Sequence, residues 1–221
     1  MMCGVAAVIA AATGGGPWWG LAWLGACFVG VGAAYVRGQP GALGKREDGS
    51  LAWSRVVLLL PYFLITWTVW HVQRALSREG CFDQVRPDLL LARRPLAHEL
   101  PASVAGVVDL TAEFPAASGV RARGHYRCVP VLDAAAMDEE ALLALVAELL
   151  ATRGPTYVQC AQGHGRSATV VAAVLLARGE AEDATQAEAL IRRARPSARL
   201  HTEQRALLAR MVPWLGRLGD A

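Results

Sequence analysis

Lysine is all but missing from this chain: one lysine stands against 21 arginines in 221 residues. With the abundance of alanine, that bias reflects GC-rich coding, and no function is read from it. Excess charge is missing from the second part as well. Residues 81 to 221 carry sixteen basic and sixteen acidic residues, which excludes nucleic acid as a bulk electrostatic partner. The five cysteines are odd in number and contain no CxxC spacing, the pattern of free thiols in a reducing compartment. No Lys or Arg precedes the first apolar run, which argues against a cleaved signal peptide. No internal repeat is present.

Charge is absent altogether from Trp18 to Val36, an apolar run of about 28 Å as a helix, the thickness of a bilayer core. Trp18, Trp19 and Trp23 at one end and Tyr35 near the other read as interface anchors. Val56 to Val72 is a second candidate span, with Pro61 inside it, which lipid-embedded helices tolerate. Met1 to Thr13 is apolar but only about 20 Å long as a helix, so it pairs with Trp18–Val36 or forms a partial span. The expectation is a membrane anchor over residues 1–75 with two or three transmembrane helices, giving a multi-pass membrane protein with the bilayer as a partner. A buried soluble hairpin would need more partner surface than so small a domain offers.

What is present is concentrated in Val158-Gln159-Cys160-Ala161-Gln162-Gly163-His164-Gly165-Arg166-Ser167. Pro155 to Val158 before it reads as a short buried strand; Ala168 to Ala177 after it is an apolar run of helix length, closed by Arg178-Gly179. A loop that curls into a helix N-terminus aims its amides at one point, and the helix dipole adds positive charge there. Gly163 and Gly165 permit the left-handed turns that make those amides converge. Arg166 can hold two phosphate oxygens at once. Cys160, in the same field, is expected to be ionised at neutral pH, and a thiolate beneath a bound phosphate is a nucleophile aimed at phosphorus. Spacing alone decides little, because with 21 arginines any cysteine meets one at this offset about one time in ten. The two glycines, the serine and the strand-loop-helix context carry the reading.

Cys160-Ala-Gln-Gly-His-Gly-Arg166-Ser167 resembles the signature loop of the dual-specificity branch of the cysteine-based protein tyrosine phosphatases. Val107 to Leu110, Tyr126 to Asp133, and Arg195-Pro196 followed by Gln204 match other parts of that family, over about residues 85 to 212. The resemblance implies an α/β fold with a central, mostly parallel sheet flanked by helices, here preceded by the N-terminal transmembrane helices. It also implies a phosphocysteine intermediate and neither metal nor cofactor. Residues 161 to 166 (Ala161, Gln162, Gly163, His164, Gly165 and Arg166) would bind the phosphate. The family usually has histidine before the nucleophile, where this chain has Gln159.

Cleaving a phosphate ester also needs a proton for the leaving oxygen, and then a base for water. Asp133, Asp138 and Asp109 are the candidates. Asp133 directly follows the apolar strand ending at Leu132 and matches the position of the family's general acid; Asp138 reads equally as a helix cap, and Asp109 as a loop-fixing carboxylate. Ser167 can donate a hydrogen bond to the sulfur. His164 either faces the pocket as a cation that favours strongly anionic substrates or is solvent-exposed filler. Cys128 is either a disulfide partner that protects Cys160 or a small buried residue.

Elements are expected at 87–92, 104–110, 125–131 and 155–159 as strands, and at 96–100, 138–152, 168–177, 184–194 and 202–215 as helices. Residues 73–86 form a polar connector. The expected function is a cysteine-dependent phosphomonoester hydrolase acting on a phosphoprotein or phospholipid at a membrane. Its catalytic domain, residues 76–221, faces the cytoplasm because the thiol needs reducing conditions. A catalytically weak phosphate-binding module is the alternative, and sulfur transfer fits less well because of Arg166.

Overall fold

The computed structural model describes residues 18–122 and 124–219. It divides into two compact units. One comprises Met1–Arg46, Ser50–Arg78 and Ala112–Pro115, the other Glu47–Gly49, Glu79–Thr111 and Ala116–Ala221.

The first unit is helical. Helix α1 (Trp18–Val36) carries no charged residue and is, among the described residues, the one helix long and apolar enough to cross a membrane. The second expected span, Val56–Val72, is divided between α2 (Trp53–Leu58) and α3 (Leu60–Leu76). Pro61 has no amide proton to donate into the preceding turn, and Leu59 leaves helical geometry at φ −102°, ψ 20°. Polar residues from Thr66 to Arg74 lower the hydropathy of α3 further. Residues 1–13, the third apolar run, lie outside the described residues. Phe63 and Trp70 of α3 are buried, and the Trp70 ring lies 5.4 Å from Phe114. The ammonium of Lys45, the sole lysine, donates to the Phe114 carbonyl at 2.5 Å. Exposed large apolar side chains run through this unit from Trp19 to Leu76, and the other unit has only Trp214 of this kind among the described residues.

The second unit is a five-stranded sheet in the order β1-β2-β5-β3-β4, with β1 at Phe82–Arg86, β2 at Leu89–Arg93, β3 at Gly106–Thr111, β4 at His125–Val131 and β5 at Thr156–Cys160. All pairings are parallel except β1 with β2. The mostly parallel α/β sheet expected from the sequence is therefore present. The supposed connector before residue 87, however, contains the antiparallel edge strand β1. Its alternation Phe82-Asp83-Gln84-Val85-Arg86 holds only two large apolar residues, the signature of a half-exposed edge. The helix expected at 96–100 is a single turn, closed by the Glu99 carboxylate accepting from the Leu96 amide at 2.7 Å.

Both faces of the sheet are covered. On one, Leu89, Leu91, Val108, Leu110 and Val158 pack with α4 (Glu139–Ala151), α5 (Arg166–Ala177), α6 (Ala184–Ala194) and α7 (Thr202–Gly219). On the other, Leu90, Ala92, Val107 and Tyr157 pack beneath Leu100, Val104 and Val120. Every residue of α5 is buried, which is why its sequence from Val170 to Ala177 is apolar all round rather than striped. The central strand β5 is buried throughout and pairs Cys160 with Arg93 and Gln159 with Asp109. Cys160 thus ends at the carboxyl edge of the parallel strands, the edge where open α/β sheets place their ligands.

Candidate active site

Strand β5 delivers Cys160 to that edge, and residues 161–165 bend back into the first turn of α5. Gly163 makes the bend possible. Its φ is +76°, and a Cβ there would lie 2.7 Å from the Ala92 carbonyl carbon and 2.8 Å from the Arg93 nitrogen, inside backbone that cannot yield. The Gly163 amide donates to Cys160 Sγ at 3.2 Å, and Ser167 Oγ lies 3.2 Å from the same sulfur. The sulfur therefore sits inside the curl of the loop with two polar hydrogens within reach.

Arg166 is buried. Its Nη1 donates to the Val131 carbonyl at 2.9 Å, and its Nη2 lies 3.1 Å from Asp133 Oδ1. Asp133 itself is 72% exposed, so its carboxylate stands at the surface while the guanidinium lies beneath. The chain turns immediately after it: Ala134 has φ 59°, a left-handed conformation that an alanine adopts only when its surroundings impose it. Gln204 of α7 supplies part of that constraint. Its Nε2 donates to the Ala135 carbonyl at 3.1 Å, and its Oε1 accepts from the His201 amide at 2.9 Å.

Asp133, Cys160, Gln162, His164, Gly165 and His201 line an open cleft. Asp138 caps α4, its side chain accepting from the Ala141 amide at 3.1 Å. Asp109 is fully buried and holds Thr111 through both amide and hydroxyl, and the Tyr126 hydroxyl at 3.0 Å. Burial, with the charge of Asp109, pushes the Tyr126 phenol up, so it stays protonated and donates. Gln159 is fully buried, and neither its amide oxygen nor its nitrogen has a hydrogen-bond partner among the described residues. Cys128 is buried and forms no disulfide among the described residues.

Around the back of the loop lies a set of contacts that the sequence did not disclose. Arg195, 1% exposed, donates from Nη2 to the Gln162 carbonyl and to Glu79 Oε2, each at 3.1 Å, and from Nη1 to Asp83 at 2.6 Å. His164 Nε2 lies 2.7 Å from the same Glu79 oxygen. Burial alone would raise the Glu79 carboxyl, but its hydrogen bonds and the charges of His164 and Arg195 outweigh that and hold it below the usual carboxylate range. Arg195-Pro196 is visible as a motif, but nothing in the sequence links it to Glu79. His201 gives no signal at all, because it precedes a helix like any other polar residue.

A family model described as "Swiss Army Knife protein, DSP-PTPase phosphatase domain" matches residues 91–211, more than half of the chain. The chain belongs to this dual-specificity branch of the tyrosine phosphatase superfamily. Solved structures of similar fold include PTPMT1 in complex with PI(5)P, at 20% identity and TM-score 0.54, covering 62% of this chain and 97% of that one. DUSP15 matches at 17% identity and TM-score 0.55, covering 64% of this chain and 94% of that one. A glycine-to-alanine variant of Tk-PTP matches at 25% identity and TM-score 0.51, covering 63% and 94%. No curated protein sequence matches. This phosphatase therefore shares the sheet and its flanking helices with those proteins, and helices α1 to α3, which end at Leu76, lie outside the family match.

Proposed function

We propose that this phosphatase is a membrane-anchored phosphomonoester hydrolase that works through a phosphocysteine intermediate. The observation that carries the reading is the sulfur of Cys160, held 3.2 Å from both the Gly163 amide and the Ser167 hydroxyl at the mouth of a helix that begins with the buried Arg166. In the first step the Cys160 thiolate attacks phosphorus in line with the ester oxygen. The S–P bond forms, the P–O bond breaks, and the departing oxygen takes the proton of Asp133. The loop amides and the Arg166 guanidinium hold the three equatorial oxygens. In the second step Asp133 removes a proton from water, which attacks phosphorus and expels the sulfur, with Ser167 donating to the returning thiolate. No metal or cofactor is assigned a part.

Residues 76–221 are the catalytic domain in this reading, and residues 1–75 tether it to a bilayer. The exposed apolar side chains from Trp19 to Leu76, with Val36 at 83% and Trp53 at 76%, support the tether, since lipid covers such surface and water does not. One crossing by α1 satisfies the described residues, and the reducing requirement of the thiol assigns the catalytic domain to the cytoplasmic side. The substrate is then a phosphate monoester within reach of the membrane, on a phospholipid or on a membrane-associated phosphoprotein.

The test is phosphate release by detergent-solubilised full-length protein from lipid phosphates and phosphopeptides in parallel, beside the Cys160→Ser variant. The proposal expects turnover of at least one class, abolished by the substitution. Phosphate binding without turnover would favour the weak phosphate-binding module, for which the unpartnered buried amide of Gln159, the residue before Cys160, is the supporting observation.

A further inference from the structure

We propose that Glu79, which lies outside the signature loop, is a positioning residue that holds the loop in its anion-binding curvature. The inference rests on the reading of residues 160–166 as the phosphate site. Amides converge on one point only if the intervening carbonyls are turned outward and accepted by something else. Two of the loop carbonyls take their donors from the segment 195–199. Gln162 O accepts from Arg195 Nη2 at 3.1 Å and His164 O from the Arg199 amide at 3.0 Å.

Arg195 can serve only because its own position is fixed. A guanidinium 1% exposed needs counter-charges, and Asp83 and Glu79 supply them at 2.6 and 3.1 Å. Glu79 does more than neutralise. Its Oε2 lies 2.7 Å from His164 Nε2 and 3.1 Å from Arg195 Nη2, so one oxygen ties a side chain of the loop to the group that holds the loop's main chain. The carboxyl is held low enough to be ionised at neutral pH in spite of partial burial.

Two effects of Glu79 on phosphate binding have opposite signs. As a negative charge it opposes an incoming anion; as a tether it keeps the loop preformed and spares the ordering cost on binding. Magnitudes decide between them. The His164 and Glu79 side chains are 36% and 34% exposed, so solvent screens the longer-range repulsion of an incoming anion, whereas the contacts to His164 and Arg195 act at 2.7 and 3.1 Å, where screening is least. The tether therefore dominates. Loss of Glu79 weakens phosphate binding, where loss of a mere counter-charge would strengthen it.

The experiment is calorimetric titration of inorganic phosphate into the detergent-solubilised full chain, with KM and kcat for an aryl phosphate measured alongside. Glu79→Ala is expected to weaken phosphate roughly tenfold and to raise KM more than it lowers kcat. Glu79→Asp keeps the charge but cannot reach both partners, and is expected to weaken phosphate several-fold as well. Glu79→Gln, which retains an acceptor oxygen of the right length, is expected to recover most of the affinity lost in Glu79→Ala. Should Glu79→Ala fail to fold, the Asp and Gln pair gives the same decision. Unchanged or tighter phosphate binding in the Asp variant, or a Gln variant that binds no better than the Asp variant, would overturn the inference. Absence of phosphate binding by the unsubstituted protein would overturn the phosphate-site reading and this inference with it.

Discussion

Asp133 and Gly163 show how much single side chains decide here. Asp133 stands exposed beside the buried Arg166, the placement that its proposed role as proton donor requires. Replacing it with alanine is expected to slow esters of poor leaving groups by roughly 10²–10⁴-fold, and activated aryl esters much less, in a series of substituted phenyl phosphates. A uniform small effect would move the acid to Asp138. Gly163→Ala meets backbone atoms at 2.7 and 2.8 Å and a φ of +76°. It is expected to cost at least about 1–2 kcal/mol in thermal or urea unfolding and to abolish phosphate binding. Cys160, Arg166 and Ser167 were legible as a constellation because loop chemistry fixes their spacing in sequence. Glu79 and His201 were not, and Arg195 was legible only as part of a motif, because its contact with Glu79 is made by the fold between segments far apart in the chain. His164 shows the limit most plainly: its position in the loop could be read, but its partner, Glu79, could not.

Among the elements, β5 and α5 are legible to within two residues, since a buried strand and a wholly buried helix are mostly apolar and are punctuated by Gly154-Pro155 and Gly179. β1 was missed because an edge strand needs no continuous apolar run, and its pairing to β2 comes from the sheet rather than from local preference. Pro61 is tolerable inside one long lipid-embedded span, but a proline that starts one helix ends its neighbour equally well, and the latter is found. Helix α5 underlies the whole catalytic unit, so its core positions should be costly to empty. Leu175→Ala, at a fully buried site between sheet and helices, is expected to destabilise by about 2–5 kcal/mol, read as a shift of the unfolding midpoint. A loss under about 1 kcal/mol would mean that α5 is less tightly packed than its burial indicates.

Taken as a whole, the molecule joins a nearly neutral catalytic unit to an apolar helical one, a contrast already visible as a shift in composition near residue 80. The stability of the catalytic unit should depend on pH through its bridging carboxylates. Hydrogen bonds from Arg178 hold the Asp88 carboxyl below its usual range, and those from Arg205 do the same for Glu188. A carboxyl depressed in the folded state contributes stability that is present above its unfolded value, about 3.9 for Asp and 4.3 for Glu, and is lost as pH falls through the folded one. Unfolding temperature should therefore hold steady near neutrality and fall below about pH 4; Asp88→Asn combined with Glu188→Gln should flatten the decline. The central claim is that Cys160 itself carries the phosphoryl group, and peptide mapping of enzyme acid-quenched during turnover tests it most directly. The account predicts phosphate bonded to the cysteine of the peptide containing residues 154–166, accumulating further when Asp133 is replaced by asparagine; steady turnover with no phosphate on that cysteine would contradict it.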